Sequence, residues 1–244
     1  MKYVILAAGK GTRLHPVTHH IPKPLISLIT GKSILEYEIC NVTQTGIFDE
    51  IIIITGYKEE MIRHVAARIK CPIKITCISN KNWDNPSPLF SLDAVSRTIK
   101  LHDVVVSNGD TVHTPPFFNI FRIRHPVEDI RLFISVANQY QEDDMRVSFS
   151  SHLERLTKIS KTLSYDDTHA VSTGMLLLKG VAKRELFLQH LSTLLSQKPV
   201  KQFWHAIVDQ MIKEKLQVNY SFTPYNSWFE IDRIEDLVHA NKHI

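Results

Sequence analysis

Three short apolar runs constrain this chain more than anything else in it. Lys2 to Ala8 (KYVILAA), Glu50 to Thr55 (EIIIIT) and Val104 to Ser107 are built around unbroken, β-branched hydrophobic stretches. They are too short for core helices and read as strands. A strand with one wet face alternates apolar and polar residues; these do not, so both faces must be covered. Segments of helical spacing separate them. Ser33 to Thr45 carries Ile34, Leu35, Ile39 and Val42 on one side, with Gly46 as a stop signal. Glu59 to Ile69 and Pro88 to Ile99 read as further helices, and Ile73 to Ile78 as a further strand. This alternation predicts an α/β fold: a Rossmann-like, mostly parallel (mixed) sheet with helices on both faces.

The second half is less regular. Ile130 to Ala137 and Ala170 to Leu178 read as long strands, Leu153 to Ile159 as part of a hairpin or an excursion, and Glu185 to Leu195 and Phe203 to Lys213 as helices. No linker, low-complexity run or repeat divides the 244 residues, so a single domain over 1–244 is expected. A formal charge of +4, with no basic run interleaved with aromatics, gives no support for nucleic acid as a partner. Cys40, Cys71 and Cys77 show no CxxC spacing, which predicts reduced thiols and a cytoplasmic protein. The first apolar run is too short for a signal peptide or a membrane span, so no membrane insertion is expected.

Chemistry concentrates after the first strand, in Leu6-Ala7-Ala8-Gly9-Lys10-Gly11-Thr12-Arg13-Leu14 and then Pro22-Lys23-Pro24-Leu25. Two glycines in three positions let backbone N–H groups approach and cradle phosphate oxygens. Arg13 supplies a forked cation for polyphosphate and Lys23 a point charge. The small side chains of Ala7 and Ala8 leave room for a base at the strand end, where open α/β sheets bind ligands. A dinucleotide fingerprint fails because Leu14 stands where a third glycine is needed. A P-loop ending at Gly31-Lys32-Ser33 fails at Ile26.

The whole string, with Lys23 placed after it, resembles the LxxGxGxRL…PKPL signature of the nucleotidyltransferases that make activated sugars and alcohols. Within that family the chain resembles the cytidylyltransferases acting on phosphocholine and similar small phosphates or phosphonates. Thr55-Gly56-Tyr57 ends the second strand as in that branch. Asn80, Asn82-Trp83-Asp84-Asn85, Ser87, Phe90, Ser91-Leu92 and Ala94 are similar to its N…N-x-x-S-L-x-x-A segment. The resemblance implies a nucleotide-binding half over 1–110, using Leu6, Ala7, Ala8, Gly9, Gly11, Thr12, Arg13, Lys23, Thr55, Gly56, Tyr57, Asn80, Asn85, Ser87 and Ser91. It implies an acceptor-binding half over 111–244.

Gly109-Asp110 follows the fourth strand where the family places a Mg²⁺ ligand, and Asp232 in Trp228-Phe229-Glu230-Ile231-Asp232 is the implied second ligand. If that segment is a strand, Glu230 and Asp232 share a side, with Glu230 toward the acceptor. Asp232 also reads as an N-cap of a final helix. Gln202-Phe203-Trp204-His205 resembles the aromatic acceptor segment of the family, in which an acid commonly follows the tryptophan; here it is His205. Trp204 also reads as ordinary core packing. No tryptophan lies between Phe133 and Val147, where a second wall of a quaternary-ammonium cage is expected. Lys158, or failing it Lys161, is expected at the acceptor phosphate. His15, His19 and His20 lie in a proline-punctuated loop without a carboxylate partner and read as solvated.

The activity so implied is Mg²⁺-dependent transfer of CMP from CTP to a small phosphorylated alcohol, amine or phosphonate, with Arg13, Lys23 and Asp110 as catalytic residues. A sugar-1-phosphate enzyme using another NTP and a non-catalytic nucleotide-binding homologue are the competing readings. The sequence leaves the oligomeric state open, a homodimer among the options.

Overall fold

The computed structural model describes residues 1–85, 87–123, 125–136, 140–197 and 203–244. The three apolar runs form β1 (Lys2–Ala7), β2 (Glu50–Thr55) and β4 (Val104–Asn108), and β3 (Lys74–Ser79) completes a parallel set in the order β3-β2-β1-β4. Their side chains divide strictly by parity. Val4, Ile52, Ile54, Val104 and Val106 face one layer of helices. Tyr3, Ile5, Ile51, Ile53 and Val105 face the other. That division explains the unbroken apolar sequence, since each fully buried aliphatic side chain stabilises the fold by about 1.5–3 kcal/mol.

On the second face lie α1 (Ile34–Gln44) and α2 (Glu59–Arg68). Helix α1 starts at a capping box: Ser33 Oγ accepts the Glu36 N–H at 3.2 Å while Glu36 Oε2 accepts the Ser33 N–H at 2.8 Å. The span expected as one helix from Pro88 to Ile99 is two, α3 (Leu89–Asp93) and α4 (Ser96–Leu101). The backbone leaves helical geometry at Val95 (φ −111°, ψ 7°), and the break lets Leu89, Leu92, Val95 and Ile99 all reach the core.

Beyond β4 the sheet turns mixed. Strand β9 (Ala170–Lys179) runs antiparallel to β4 and to β6 (Asp129–Ser135). The expected hairpin is β7 (Arg146–Ser150) and β8 (Arg155–Ser160), and β10 (Asn219–Phe222) inserts between β6 and β8. The full order is β3-β2-β1-β4-β9-β6-β10-β8-β7. Strand β6 ends before Ala137, which lies outside the described residues. Helix α5 (Val181–Ser196) begins earlier than its sequence pattern, directly after Gly180, and α6 spans His205–Lys213. A separate ribbon pairs β5 (Thr111–His113) with β11 (Trp228–Glu230), and α7 (Ile234–Ala240) follows. Among the described residues no helix is long and apolar enough to cross a membrane.

In register, Leu6 lies beside Ile54 and Asn108, and Ala7 beside Thr55. The carboxyl ends of β1, β2 and β4 therefore share one edge, where an open α/β sheet takes its ligand.

Candidate active site

The glycine loop leaves that edge and folds back on itself. Gly11 is left-handed (φ 63°), and a Cβ there would stand 3.0 Å from Lys23 Cβ, so the loop closes onto the lysine only with glycine. Thr18 Oγ1 donates to the Gly11 carbonyl (2.9 Å) and Tyr57 Oη to the Thr18 carbonyl (2.9 Å). A second close approach is at Gly109, where a Cβ would lie 2.6 Å from the Leu6 carbonyl oxygen. Gly109 thus lets the chain cross the end of β1, its N–H donating to that same oxygen at 3.0 Å, and delivers Asp110 into the cleft.

The short ribbon brings the distant carboxylates. Strand β11 pairs with β5 so that Glu230 lies opposite Thr111, and the Ile231 N–H donates to the Asp110 carbonyl at 2.9 Å. Ligand oxygens of Asp110, Glu230 and Asp232 then lie within 4.8 Å of one another. Lys23, only 6% exposed, places Nζ 2.8 Å from Asp110 Oδ2 and 2.6 Å from Asp232 Oδ1. Burial acts to lower the Lys23 pKa, but the Asp110 and Asp232 charges and hydrogen bonds outweigh it and hold the ammonium above its ordinary value. Arg13 Nη2 sits 2.8 Å from Asp232 Oδ2, and its Nη1 2.5 Å from Asp143 Oδ2. Asp232 does not cap α7, whose cap residue is Arg233; its carboxylate is given to Lys23 and Arg13.

Glu230 is open to the cleft by surface area, yet protein is packed densely around it. The loss of hydration there, then the Asp110 and Asp232 charges, push its carboxyl up to about 8. The upward direction stands on the two neighbouring carboxylates, whatever the degree of dehydration. Asp110 Oδ1 is buried without any hydrogen-bond partner. An orphaned carboxylate oxygen in a surplus of negative charge fits a hard divalent cation, and Mg²⁺ favours one or two carboxylates completed by phosphate oxygens.

Two adjoining cavities of about 440 and about 550 Å³ surround this cluster, within the ordinary size for small-molecule sites. Leu6, Ala8, Gly9, Gly11, Thr12, Arg13, Asn80, Asn85, Ser87 and Ser91 line the first; Ala7 and Lys23 line the second. Asn80 is 4% exposed and its amide donates to Ser91 Oγ at 3.2 Å. Thr55, Gly56 and Tyr57 line neither and act behind the wall: Thr55 Oγ1 donates to Glu59 Oε2 at 3.0 Å, and the Tyr57 ring packs beside Trp83 at 5.7 Å. At the other end are Trp204, His205 and Glu230.

Of the two lysines offered for the acceptor, Lys161 lines both cavities. Lys158 does not; its side chain is 62% exposed, with Asp167 Oδ2 3.9 Å away. Trp204 is 3% exposed, packs in the core, and donates from Nε1 to Asn108 Oδ1 at 2.9 Å. Gln202 lies outside the described residues. His15, His19 and His20 are exposed, and the His15 and His19 rings meet Nδ1 to Nε2 at 3.0 Å. Asp143 and Ser172 also line the first cavity and were not among the residues the sequence pointed to. Ser172-Thr173-Gly174 was a readable signal, a polar break inside an otherwise apolar strand.

The family model described as Nucleotidyl transferase matches residues 2–144. The chain belongs to this family. As a nucleotidyltransferase it is an enzyme, and the glycine loop and Asp110 both fall within the matched span. It is similar to the choline-phosphate cytidylyltransferase of Streptococcus pneumoniae, with 27% identity over 246 residues covering 97% of this chain and 95% of that one. Among solved structures, the CTP:phosphocholine cytidylyltransferase from Streptococcus pneumoniae matches with a TM-score of 0.76 and 24% identity, covering 99% of this chain and 97% of the other. The inositol-1-phosphate CTP transferase from T. maritima matches with a TM-score of 0.79 and 18% identity, covering 99% and 96%. At these identities the two structures establish the α/β fold of the nucleotidyltransferase.

Proposed function

We propose that this nucleotidyltransferase moves CMP from CTP to a small phosphorylated acceptor and releases pyrophosphate, working as one domain over 1–244 in the cytoplasm. The observation that carries the reading is the Lys23 ammonium held between Asp110 and Asp232 beneath the glycine loop. It gathers, at the carboxyl ends of the strands, a phosphate-binding cation and the carboxylates a metal would need. The similarity over nearly the whole chain to a cytidylyltransferase supports CTP as donor.

In this reading an acceptor phosphate oxygen attacks the α-phosphorus in line. The new P–O bond forms as the bond to the β-phosphate oxygen breaks, and the electron pair leaves with pyrophosphate. The nucleophile is already anionic, so neither a covalent intermediate nor a general base is required. What the chain must do is bring two anions together and hold them aligned. Gly9, Gly11 and Thr12 offer loop N–H groups to the phosphates, and Arg13 and Lys23 exchange their carboxylate partners for phosphate oxygens. Asn80, Ser87 and Ser91 bound the base site beside Ala8, and Lys161 meets the acceptor phosphate. Asp110 and Asp232, with Glu230 beside them, would hold Mg²⁺, which when bound supplies charge neutralisation for the pentavalent transition state.

The test is pyrophosphate release with Mg²⁺, crossing CTP, UTP, GTP and ATP against small phosphates and sugar 1-phosphates. Release with CTP and a small phosphate is expected. Release only from another NTP with a sugar 1-phosphate would overturn the proposal.

A further inference from the structure

Three aromatic side chains among the described residues line the 440 Å³ cavity: Trp83, Phe203 and Trp204. Each has a face already covered by the protein. Lys10 Nζ stands 5.2 Å from the Trp83 ring centre and Lys161 Nζ 4.4 Å from that of Phe203. Trp204 stacks on His205 at 3.7 Å with the planes 20° apart. A cationic headgroup is recognised by open aromatic faces with an anion nearby. Here two of the rings already carry ammonium groups, which would repel a third. Of the carboxylates lining this cavity, Glu230 belongs to the acidic cluster with Asp110 and Asp232, and Asp143 is already engaged by Arg13.

What the acceptor end offers instead is uncharged hydrogen bonding. His205 is 5% exposed, with Nε2 2.8 Å from Ser172 Oγ. Ser172 Oγ also accepts the Gly174 N–H at 3.2 Å, and either Oγ or Nε2 can be the donor between them, according to the imidazole tautomer. The other ring nitrogen, Nδ1, is buried with no hydrogen-bond partner among the described residues. Burial, then the Lys161 charge, push the imidazole pKa down to about 3, so the ring is neutral at physiological pH. Asn108 lines the same wall, its Oδ1 engaged by Trp204 Nε1.

Resting on the proposed function, we infer that the acceptor is a phosphorylated polyol, its phosphate meeting Lys161 and its uncharged hydroxyls the wall of His205, Ser172 and Asn108. The chemistry of transfer is unchanged; only the group carried by the acceptor phosphate is specified. Aminoalcohol phosphates would bring their ammonium to rings that already carry Lys10 and Lys161, which disfavours them.

The experiment measures kcat/KM by pyrophosphate release with the full chain, Mg²⁺ and CTP. The acceptors are glycerol 3-phosphate, a pentitol 5-phosphate, phosphocholine, phosphoethanolamine and glucose 1-phosphate. At least one polyol phosphate should exceed phosphocholine and phosphoethanolamine by about tenfold or more. Equal or better use of either amine, or a preference for glucose 1-phosphate, overturns the acceptor assignment while leaving CMP transfer standing. No release from CTP with any acceptor overturns the proposed function and this inference with it. His205→Leu should raise the KM of the polyol phosphate about tenfold with that of CTP unmoved, and His205→Gln should recover most of the loss. An equal rise in both KM values would reduce His205 to a packing residue and overturn its role.

Discussion

Replacing Lys23 by methionine tests whether the site is held together by charge. In the free protein its ammonium lies within 2.8 Å of two carboxylates from opposite parts of the chain. Methionine keeps most of the side chain's volume but leaves Asp110 and Asp232 facing each other, with Glu230 alongside. Removing one partner of a buried ion pair costs about 3–5 kcal/mol. Asp110 and Asp232 side chains are 29% and 15% exposed, so water offsets part of that cost and the lower end, about 3 kcal/mol, is expected. For a chain of this length that is a fall in Tm of about 6–12 °C. Millimolar Mg²⁺ should restore several degrees to Lys23→Met and fewer to the wild type, because in the variant the cation meets uncompensated carboxylates. The assay is thermal unfolding by circular dichroism with and without Mg²⁺, alongside pyrophosphate release, which should fall severely. A variant as stable as the wild type in the absence of Mg²⁺ would refute the reasoning, since the three groups would then not form a compensated cluster.

Other consequences are open to direct measurement. Gly109→Ala forces a Cβ against the Leu6 carbonyl and should shift Asp110, lowering kcat strongly while CTP binding by calorimetry changes little; normal turnover would show that the crossing tolerates a side chain. His205 is neutral in the fold and has a pKa near 6.5 when unfolded, so its contribution is complete above pH 6.5 and is lost as pH falls toward about 3. Denaturant titrations should show the wild type losing about 1 kcal/mol more stability per pH unit than His205→Gln between pH 6 and 4, and parallel curves would contradict the burial argument. Trp204→Ala should cost about 3–5 kcal/mol of stability and raise the acceptor KM more than that of CTP; a fully stable variant would mean that the ring is not packed as described.

The sheet's first half was legible because burial on both faces leaves nothing but apolar residues to write, as in Ile51 to Ile54. The glycine loop was legible for a different reason: Gly11 is conformationally required, and Arg13 and Lys23 stand at fixed distances after it. Short elements were not. Strands β5 and β10 have three and four residues, too few for a period to register. The break at Val95 left no mark, since the apolar spacing on its two sides suits one helix as well as two. Which of Lys158 and Lys161 meets the cleft depends on the path of the β7–β8 hairpin, which carries a bulge between Ser148 and Phe149. The approach of Asp110 to Asp232 was available only through resemblance. No local pattern encodes a pairing across more than a hundred residues; the β5–β11 ribbon makes it.

The position of β10 has a consequence for how the chain is made. Strands β6 and β8 are not neighbours until Asn219–Phe222 slides between them, so every shorter intermediate displays two raw strand edges in search of a partner. Such distant pairing folds slowly. The segment that closes the gap is followed within ten residues by Glu230 and Asp232. During synthesis, then, the segment from Asn219 to Asp232, which emerges after the other strands of the large sheet, both seals that sheet against self-association and delivers carboxylates on which chemistry would depend. An unfinished or clipped chain should be sticky and inert together, and the cell meets either a sealed molecule with a complete acidic cluster or one fit for degradation.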